Sequence, residues 1–532
     1  MMKKLYPWLR LFVVLIVSLG AIRPLLSPGF FPMHDDVQPA RVITMSRALS
    51  EGQFPVRWVS ELGYGYGYPI FNFYGPLPYY VGAAAHLATG DVLIATKVMM
   101  ALGMLLAAVG MYAFVSKLLP FWGAAVLSVL YMYAPYHGTQ LYVRGAVGEL
   151  WAYGFLPLVV AGALGNLPLG ILGLFGVITS HTITGYLTFG FLAIYFLVRW
   201  ILEKRFPHRI FLMLVFGLAL SAFFWLPALS EMGFTNIAGQ IGGGADFRDH
   251  FVCIGQLWNS PMEYGGSTAG CIDGISFKLG KLHILLGVAG FLLFIKNWKR
   301  TKKSLRWVRG MEAALVAGSV FFMTPLSQKL WELLPYAAFV QYPWRFLTFA
   351  TLGLVLLAGI IWRDLKPRIG LFTGATVIVL AIIINAESFL PQYISPATSA
   401  DFERTYELRF RASRVSDEYM PSGFVRPQTE EEVVRDTISG TATQGRWDVT
   451  LEDEGDVTLP RAYFPGWRYW VDGEEMKASV IAGLPVFHLG PGTHTIDFRL
   501  IDTPVRTVAN LISLVSAVAL GILYAKNKKA IT

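Results

Sequence analysis

Residues 3–36 read KKLYPWLRLFVVLIVSLGAIRPLLSPGFFPMHDD, and this stretch decides the fold. Leu5 to Ile22 is almost wholly apolar and is preceded by Lys3 and Lys4. An apolar run near the length of a bilayer crossing reads as a membrane-spanning helix, and lysines beside it stay on the cytoplasmic side. The run therefore delivers His34-Asp35-Asp36 to the outer membrane surface. No clean small-x-small site follows it, so it is expected to stay as an uncleaved anchor; a cleaved signal peptide would leave the aspartates outside as well. Two adjacent carboxylates held there by a helix can act as a base or bind a metal.

The rest of the chain fits that beginning. Hydrophobic residues make up 54% of the 532 and charged residues only 15%, the balance of a polytopic membrane protein and not of a soluble one. The net charge of +9 is uneven, because residues 390–505 carry 19 acidic and 11 basic side chains and leave the remainder strongly basic. That excess reads as cytoplasmic anchoring charge. No basic stretch interleaves with aromatics on a soluble face, which argues against nucleic acid as a partner. Basic breaks at Lys117, Arg199 to Arg209, Lys296 to Arg309, Arg363 to Arg368 and Lys526 to Lys529 are placed inside. The result is a mostly α protein of about twelve transmembrane helices, from 5–26 to 507–525, with both termini cytoplasmic. Several spans fall short of the ~20 residues a straight crossing needs and are expected to be tilted, shielded or re-entrant. Three regions follow: a multi-pass domain over 1–389 with an external loop at 27–76, an extracytoplasmic β-rich domain over 390–505, and a last helix with a basic tail over 506–532.

The external loop reads as a helix from Gln38 to Leu49, then a run Gly63-Tyr64-Gly65-Tyr66-Gly67-Tyr68-Pro69. The tyrosines suit an interfacial aromatic belt or a stacking surface for a sugar or lipid head group. In the polar region, Trp447 to Leu451, Val486 to Leu489 and His494 to Leu500 alternate like strands. Asp472-Gly473 is a hairpin signal, and Gly490-Pro491-Gly492 marks another turn, so a small antiparallel β-sandwich is expected. The two cysteines, Cys253 and Cys271, share one polar loop without metal-binding spacing. If external they form a disulfide, stabilising the loop by about 3 kcal/mol; otherwise they are two buried thiols.

Charges that do not serve as anchors gather on the outer side: Asp35, Asp36, Arg144, Glu149, His181, Glu231, Asp246, Arg248, Asp249, His250 and Arg345. Segments far apart in sequence thus place polar groups at one membrane level, where each is costly and needs a reason. A carboxylate there can deprotonate a hydroxyl, and arginine forks suit a phosphate oxyanion. Together they match sugar transfer from a lipid phosphate: an aspartate as base, with His34, Arg144, Glu149, His181, Glu231, Arg248 and Arg345 around the donor. Each has a plainer reading too. The aspartates could cap the helix that carries Pro39 in its first turn. Arg144–Glu149 and Glu231 could be structural ion pairs, His181 a hydrogen-bonded interior histidine, and Arg345 a side chain snorkelling at the interface.

These residues carry a family resemblance. Paired acidic residues in the first external loop, on many irregular spans, resemble the GT-C superfamily of membrane glycosyltransferases. Five stretches resemble the bacterial and archaeal multi-pass family called 6-pyruvoyl-tetrahydropterin synthase-related membrane proteins. They are His34-Asp35-Asp36; Tyr142-Val143-Arg144-Gly145 with Glu149; Ser180-His181-Thr182; Trp225-Leu226-Pro227-Ala228 with Glu231; and Gln341-Tyr342-Pro343-Trp344-Arg345-Phe346. Tyr463-Phe464-Pro465-Gly466-Trp467 with Val471-Asp472-Gly473 resembles the external tail of a related family that glycosylates envelope polymers. The pterin in the family's name does not fit, since pterin synthases are soluble zinc enzymes with clustered histidines and the nine here are scattered.

The resemblance implies a polyprenyl-phosphate-linked sugar donor, an envelope glycan, lipid or protein acceptor, contact with membrane lipids, and a catalytic acid at Asp35 or Asp36. No cofactor is certain. GT-C enzymes that use a divalent metal such as Mg or Mn hold it with further acidic ligands, for which Glu149, Glu231 and Asp246 are the candidates. Two other functions stand beside the transferase: a transporter or flippase for a lipid-linked glycan, and a non-catalytic envelope assembly protein. The first would place polar groups at mid-membrane depth and show an internal repeat, and no repeat is seen.

Overall fold

A computed structural model describes residues 2–529 apart from 241, 335 and 435–437. Residues 530–532 of the expected tail lie outside the described residues. The protein is mostly helical, with its named strands gathered between Ser439 and Leu500. Five helices are long and apolar enough to cross a membrane: Trp8–Leu26, Val92–Val115, Thr182–Glu203, Pro367–Phe389 and Pro504–Ile522. The number rises to seven if His208–Leu220 with Ala222–Phe234, and Lys303–Met323 with Pro325–Leu333, each count as one broken span. Four more apolar helices, Phe121–Met132, Val147–Ala163, Leu167–Ser180 and Pro343–Ala358, have only 10–17 residues. The first stops where Ala134-Pro135 follows, because proline forces the residue before it out of helical geometry.

The chain forms two compact units. The first comprises Met1–Asp35, Met100–Gly217 and Ile241–Pro396. Its centre is the helix Val147–Ala163, buried along nearly its whole length. That helix packs on Leu167–Ser180 with Gly162 against Gly170, where a methyl group on Gly162 would lie 2.2 Å from the Gly170 Cα. Small residues at such a crossing let two backbones touch, which is how helices associate where lipid removes the hydrophobic drive. The strap Phe30 to Ser395 closes the unit's start onto its end through paired backbone hydrogen bonds of 2.9 and 2.7 Å.

The second unit comprises Asp36–Met99, Leu218–Gln240 and Ala397–Thr532. Gln38–Ser50 packs on Leu77–Thr89, and Ala222–Glu231 packs on the helix Pro504–Lys529. Tyr406–Arg411 is a π-helical turn that runs into the short helix Ala412–Val415. Eight strands follow: β1 Ser439–Gly440, β2 Gln444–Leu451, β3 Gly455–Thr458, β4 Trp467–Val471, β5 Glu474–Met476, β6 Ser479–Ile481, β7 Leu484–Leu489 and β8 Gly492–Leu500. They make two antiparallel sheets, ordered β1-β2-β8-β4-β5 and β3-β7-β6. Tyr469 of β4 meets Phe487 of β7 edge to face at 5.3 Å, joining the sheets. Asp472 and Gly473 have φ of 53° and 89°, the double left-handed turn that lets two residues link β4 and β5.

Candidate functional site

In the first unit the charged side chains converge at the start of Val147–Ala163. Arg144 precedes that helix and Glu149 lies in its first turn, where a carboxylate suits the positive end of the helix dipole. Arg144 Nη1 donates to Glu149 Oε2 at 2.7 Å and to the Tyr136 hydroxyl at 3.1 Å. Tyr136 donates to Glu149 Oε1 at 2.6 Å, and Gln140 Nε2 reaches the same oxygen at 3.1 Å. The guanidinium lies 4.3 Å from the ring centre of Trp344. Glu149 also lies within electrostatic reach of His181 and Arg345.

The carboxylate loop is tied to this group by its backbone. His34 N donates to Val143 O at 3.0 Å and Asp35 N to Arg144 O at 2.9 Å. Gly145 makes the approach feasible: its φ is +63°, and a methyl group there would lie 2.3 Å from Met33 Sδ. Asp35 and Arg144 are also electrostatically coupled. His34 Nε2 faces the Tyr264 carbonyl at 3.2 Å. Tyr264 belongs to the loop closed by Cys253 and Cys271, which are bonded with their Cα atoms 5.5 Å apart.

The other residues singled out from sequence have different settings. His181 caps the helix Thr182–Glu203, its Nδ1 accepting from Thr184 N at 3.3 Å and lying 2.8 Å from Thr184 Oγ1. Arg345 is buried and donates from Nη1 to the Val340 carbonyl and to Gln341 Oε1, so it does not snorkel outward. Its Nε has no hydrogen-bond partner among the described residues. Arg248 is at the surface between Asp246 at 3.2 Å and Glu332 at 3.3 Å.

Asp36 and Glu231 have their partners in the second unit. Arg411 Nη1 donates to Asp36 Oδ2 at 2.6 Å, and Glu407 grips the same guanidinium. The helix Gln38–Ser50 takes Val37 as its N-cap, and the Val37 side chain makes no capping bond. Glu231 accepts from Asn72 Nδ2 at 2.8 Å and Thr503 Oγ1 at 2.8 Å, and pairs with Arg506 Nε at 3.0 Å. The Gly/Tyr run is neither a belt nor an open platform. Tyr64 and Tyr68 are fully buried, Tyr64 donating to Asp417 Oδ2 at 3.0 Å and stacking on Phe424. Burial and the neighbouring Asp417 carboxylate push the Tyr64 phenol above its ordinary range.

The candidate metal ligands fit a cation poorly. Glu149, Glu231 and Asp246 each already hold an arginine, and no three His, Cys, Asp or Glu among the described residues are grouped to bind a metal ion. Sequence reasoning did not find Tyr136, Gln140, Arg411, Glu407 or Arg506. Tyr136 and Gln140 lie on one helix beside the arginine turn and were the readable ones, as polar residues in an apolar stretch.

The model of the 6-pyruvoyl-tetrahydropterin synthase related domain, described as a membrane protein, matches residues 71–394, more than half of the chain. The chain belongs to this family of membrane proteins. No curated protein sequence matches it. Among solved structures, it is similar to the apo crystal structure of the Archaeoglobus fulgidus oligosaccharyltransferase. The likeness covers 80% of this chain and 62% of that one, at 12% identity and a TM-score of 0.48.

Proposed function

We propose that the protein is a GT-C-type glycosyltransferase that moves a sugar from a polyprenyl-phosphate donor to an envelope acceptor at the outer membrane face. The observation that carries this reading is the strap between the carboxylate loop and the arginine turn, His34 to Val143 and Asp35 to Arg144. It ties a carboxylate that can take a proton to a guanidinium that can face a phosphate, which are the two groups this reaction needs. The motif resemblance and the membership of a membrane protein family support the same reading.

The acceptor hydroxyl gives its proton to an aspartate of the loop, and its oxygen attacks the anomeric carbon. The bond from that carbon to the phosphate oxygen breaks, and its electron pair leaves with the lipid phosphate. Arg144 and the unengaged Nε of Arg345 are the donors assigned to the oxyanion. Trp344 and Tyr342, beneath the two guanidiniums, keep the site poor in water, where such donors act most strongly. Glu149 and Tyr136 hold Arg144 in place.

The test uses the protein in lipid nanodiscs, a panel of polyprenyl-phosphate sugars and mass spectrometry of free polyprenyl phosphate. Wild type is expected to release the lipid phosphate from one donor, and the Asp35→Asn/Asp36→Asn variant, equally well folded, to release none. Release by both would remove the aspartates from the chemistry. No release by wild type from any donor, with acceptor extracts supplied, would turn the reading toward transport or assembly.

A further inference from the structure

The turn that leads into Arg345 is held in a conformation its own sequence does not favour. Gln341 has φ 63° and ψ −52°, the γ-turn geometry that is rare and strained for a residue with a side chain. Tyr342 N closes the turn by donating to Val340 O at 2.6 Å, and the same carbonyl accepts from Arg345 Nη1. The turn therefore sets the direction of the guanidinium. Strain of this kind persists only where the surroundings hold it in place.

His250 bears on the turn from a separate loop of the same unit. Its ring meets Tyr342 edge to face at 4.7 Å. Tyr342 lies 4.9 Å from the Arg345 guanidinium carbon and stacks on Trp344 at 4.9 Å, and Trp344 carries Arg144 at 4.3 Å. The three rings form a ladder beneath both guanidiniums. His250 is buried, and both its nitrogens are engaged: Nε2 with the Gly244 carbonyl at 3.0 Å and Nδ1 with the Ser267 hydroxyl at 2.8 Å. A carbonyl only accepts, so Nε2 carries the hydrogen and Nδ1 accepts from Ser267. That leaves the ring one orientation. Ser267 lies inside the loop closed by Cys253 and Cys271, and His250 stands three residues before it, so their bond ties the two arms of the loop together. Just after His250, Val252 N donates to the carbonyl of Met323, the last residue of the helix Lys303–Met323, at 2.7 Å.

We propose that His250 is a positioning residue for the lipid-phosphate site: its ring braces Tyr342, which keeps the 340–342 turn and the Arg345 guanidinium aimed at the leaving phosphate. This rests on the glycosyl-transfer reading and gives the disulfide-closed loop a part in it. His250 acts through Tyr342 and not on the substrate. The phosphate gains charge as the anomeric bond breaks, so a guanidinium out of line costs turnover more than donor binding.

The experiment measures kcat, donor KM and the product-inhibition constant of polyprenyl phosphate in nanodiscs. It compares wild type with His250→Ala, His250→Phe, Ser267→Ala, Arg345→Gln and the His250→Ala/Arg345→Gln double variant. Arg345→Gln should lower kcat by about 100-fold, the loss of one oxyanion donor. His250→Ala should lower kcat by roughly 10-fold, the effect of a misplaced donor, and weaken inhibition by polyprenyl phosphate, with donor KM nearly unchanged. The double variant should be no worse than Arg345→Gln, because the two residues act as one unit. His250→Phe keeps a ring edge on Tyr342 and should recover part of the loss. Ser267→Ala frees the ring from its tether and should lower the same kcat by a smaller factor, which carries the test if His250→Ala fails to fold. Wild-type kcat in His250→Ala, or in Ser267→Ala where the former does not fold, would overturn the positioning role. So would losses that multiply in the double variant, or a His250→Phe no better than His250→Ala. Wild type that cleaves no donor would instead bring down the glycosyl-transfer reading and this proposal with it.

Discussion

Two arginine–carboxylate pairs, one in each unit, show how differently the same chemistry can be built. Arg144 and Glu149 are five residues apart, their side chains 10% and 1% exposed, with Tyr136 and Gln140 completing the shell of the carboxylate. Arg411 and Asp36 are 375 residues apart, and both are about a third exposed. The first pair is a fixed part of the interior. The desolvation of two charges is large, and it is offset only because the surrounding hydrogen bonds are nearly complete. The second pair remains in contact with water, costs little to hold and little to break, and so suits a loop that must work. Burial, and not the bond length of 2.7 or 2.6 Å, separates the two.

Removing one partner from each pair sharpens that contrast. Glu149→Ala should destabilise the protein most, by about 3–5 kcal/mol, because it leaves Arg144 buried without its counter-charge. Thermal unfolding in detergent checks it, and a melting temperature close to wild type would mean that water reaches Arg144. Glu231→Ala is the parallel case in the second unit, since Arg506 is fully buried, and should cost about as much. If Glu231→Ala is mild while Glu149→Ala is severe, Asn72 and Thr503 are not what makes the Glu231 site tight.

The half-exposed pair should respond far less. Asp36→Asn is expected to lower stability by about 1 kcal/mol or less, the range of exposed ion pairs, while its effect on turnover is much larger. A melting point falling as far as in Glu149→Ala would make Asp36 a structural residue and erase the distinction. Added salt separates the pairs further. At high ionic strength the Asp36 contact should weaken, and the buried Arg144 contact should not.

How legible each pair was follows from its geometry. Arg144–Glu149 could be read because polar residues in an apolar stretch are costly and these two flank one helix start. The Arg411 contact could not. Residues 390–505 carry so much charge that Arg411 and Glu407 looked like part of a solvated domain, and no local pattern links them to residue 36. Arg506 was hidden in a similar way, as one more basic residue at the edge of the last apolar run. The strands were readable from alternation and from Asp472-Gly473, since both signals are local. The spans were harder. Helices of 10–17 residues, such as Val147–Ala163, are buried by their neighbours, and length alone cannot separate such a helix from a membrane crossing. Tyr64 and Tyr68 misled for the opposite reason: alternating tyrosine and glycine suggests an exposed aromatic surface, yet the glycines let the chain fold inward and the rings pack on residues 417–424.

The smallest effect belongs to a third contact, in the β-region, where His494 is 18% and Asp472 49% exposed. His494 Nδ1 meets Asp472 Oδ2 at 2.6 Å beside the β4–β5 turn. The bond to Asp472 raises the imidazole above its ordinary value, while backbone and side-chain donors, led by Thr495 N–H, hold the Asp472 carboxyl below its own. A histidine raised on folding stabilises fully below its unfolded value of about 6.5 and loses that contribution as pH climbs through the folded value. An aspartate lowered on folding contributes above about 3.9 and loses it as pH falls through the folded value. The pair therefore helps most between about pH 4 and 6.5. Melting the full chain at pH 5.5 and pH 8 should show a slightly larger drop for wild type than for His494→Ala. An equal drop in both would mean that the hydrogen bond between the two side chains adds nothing to stability beyond what water offers each of them.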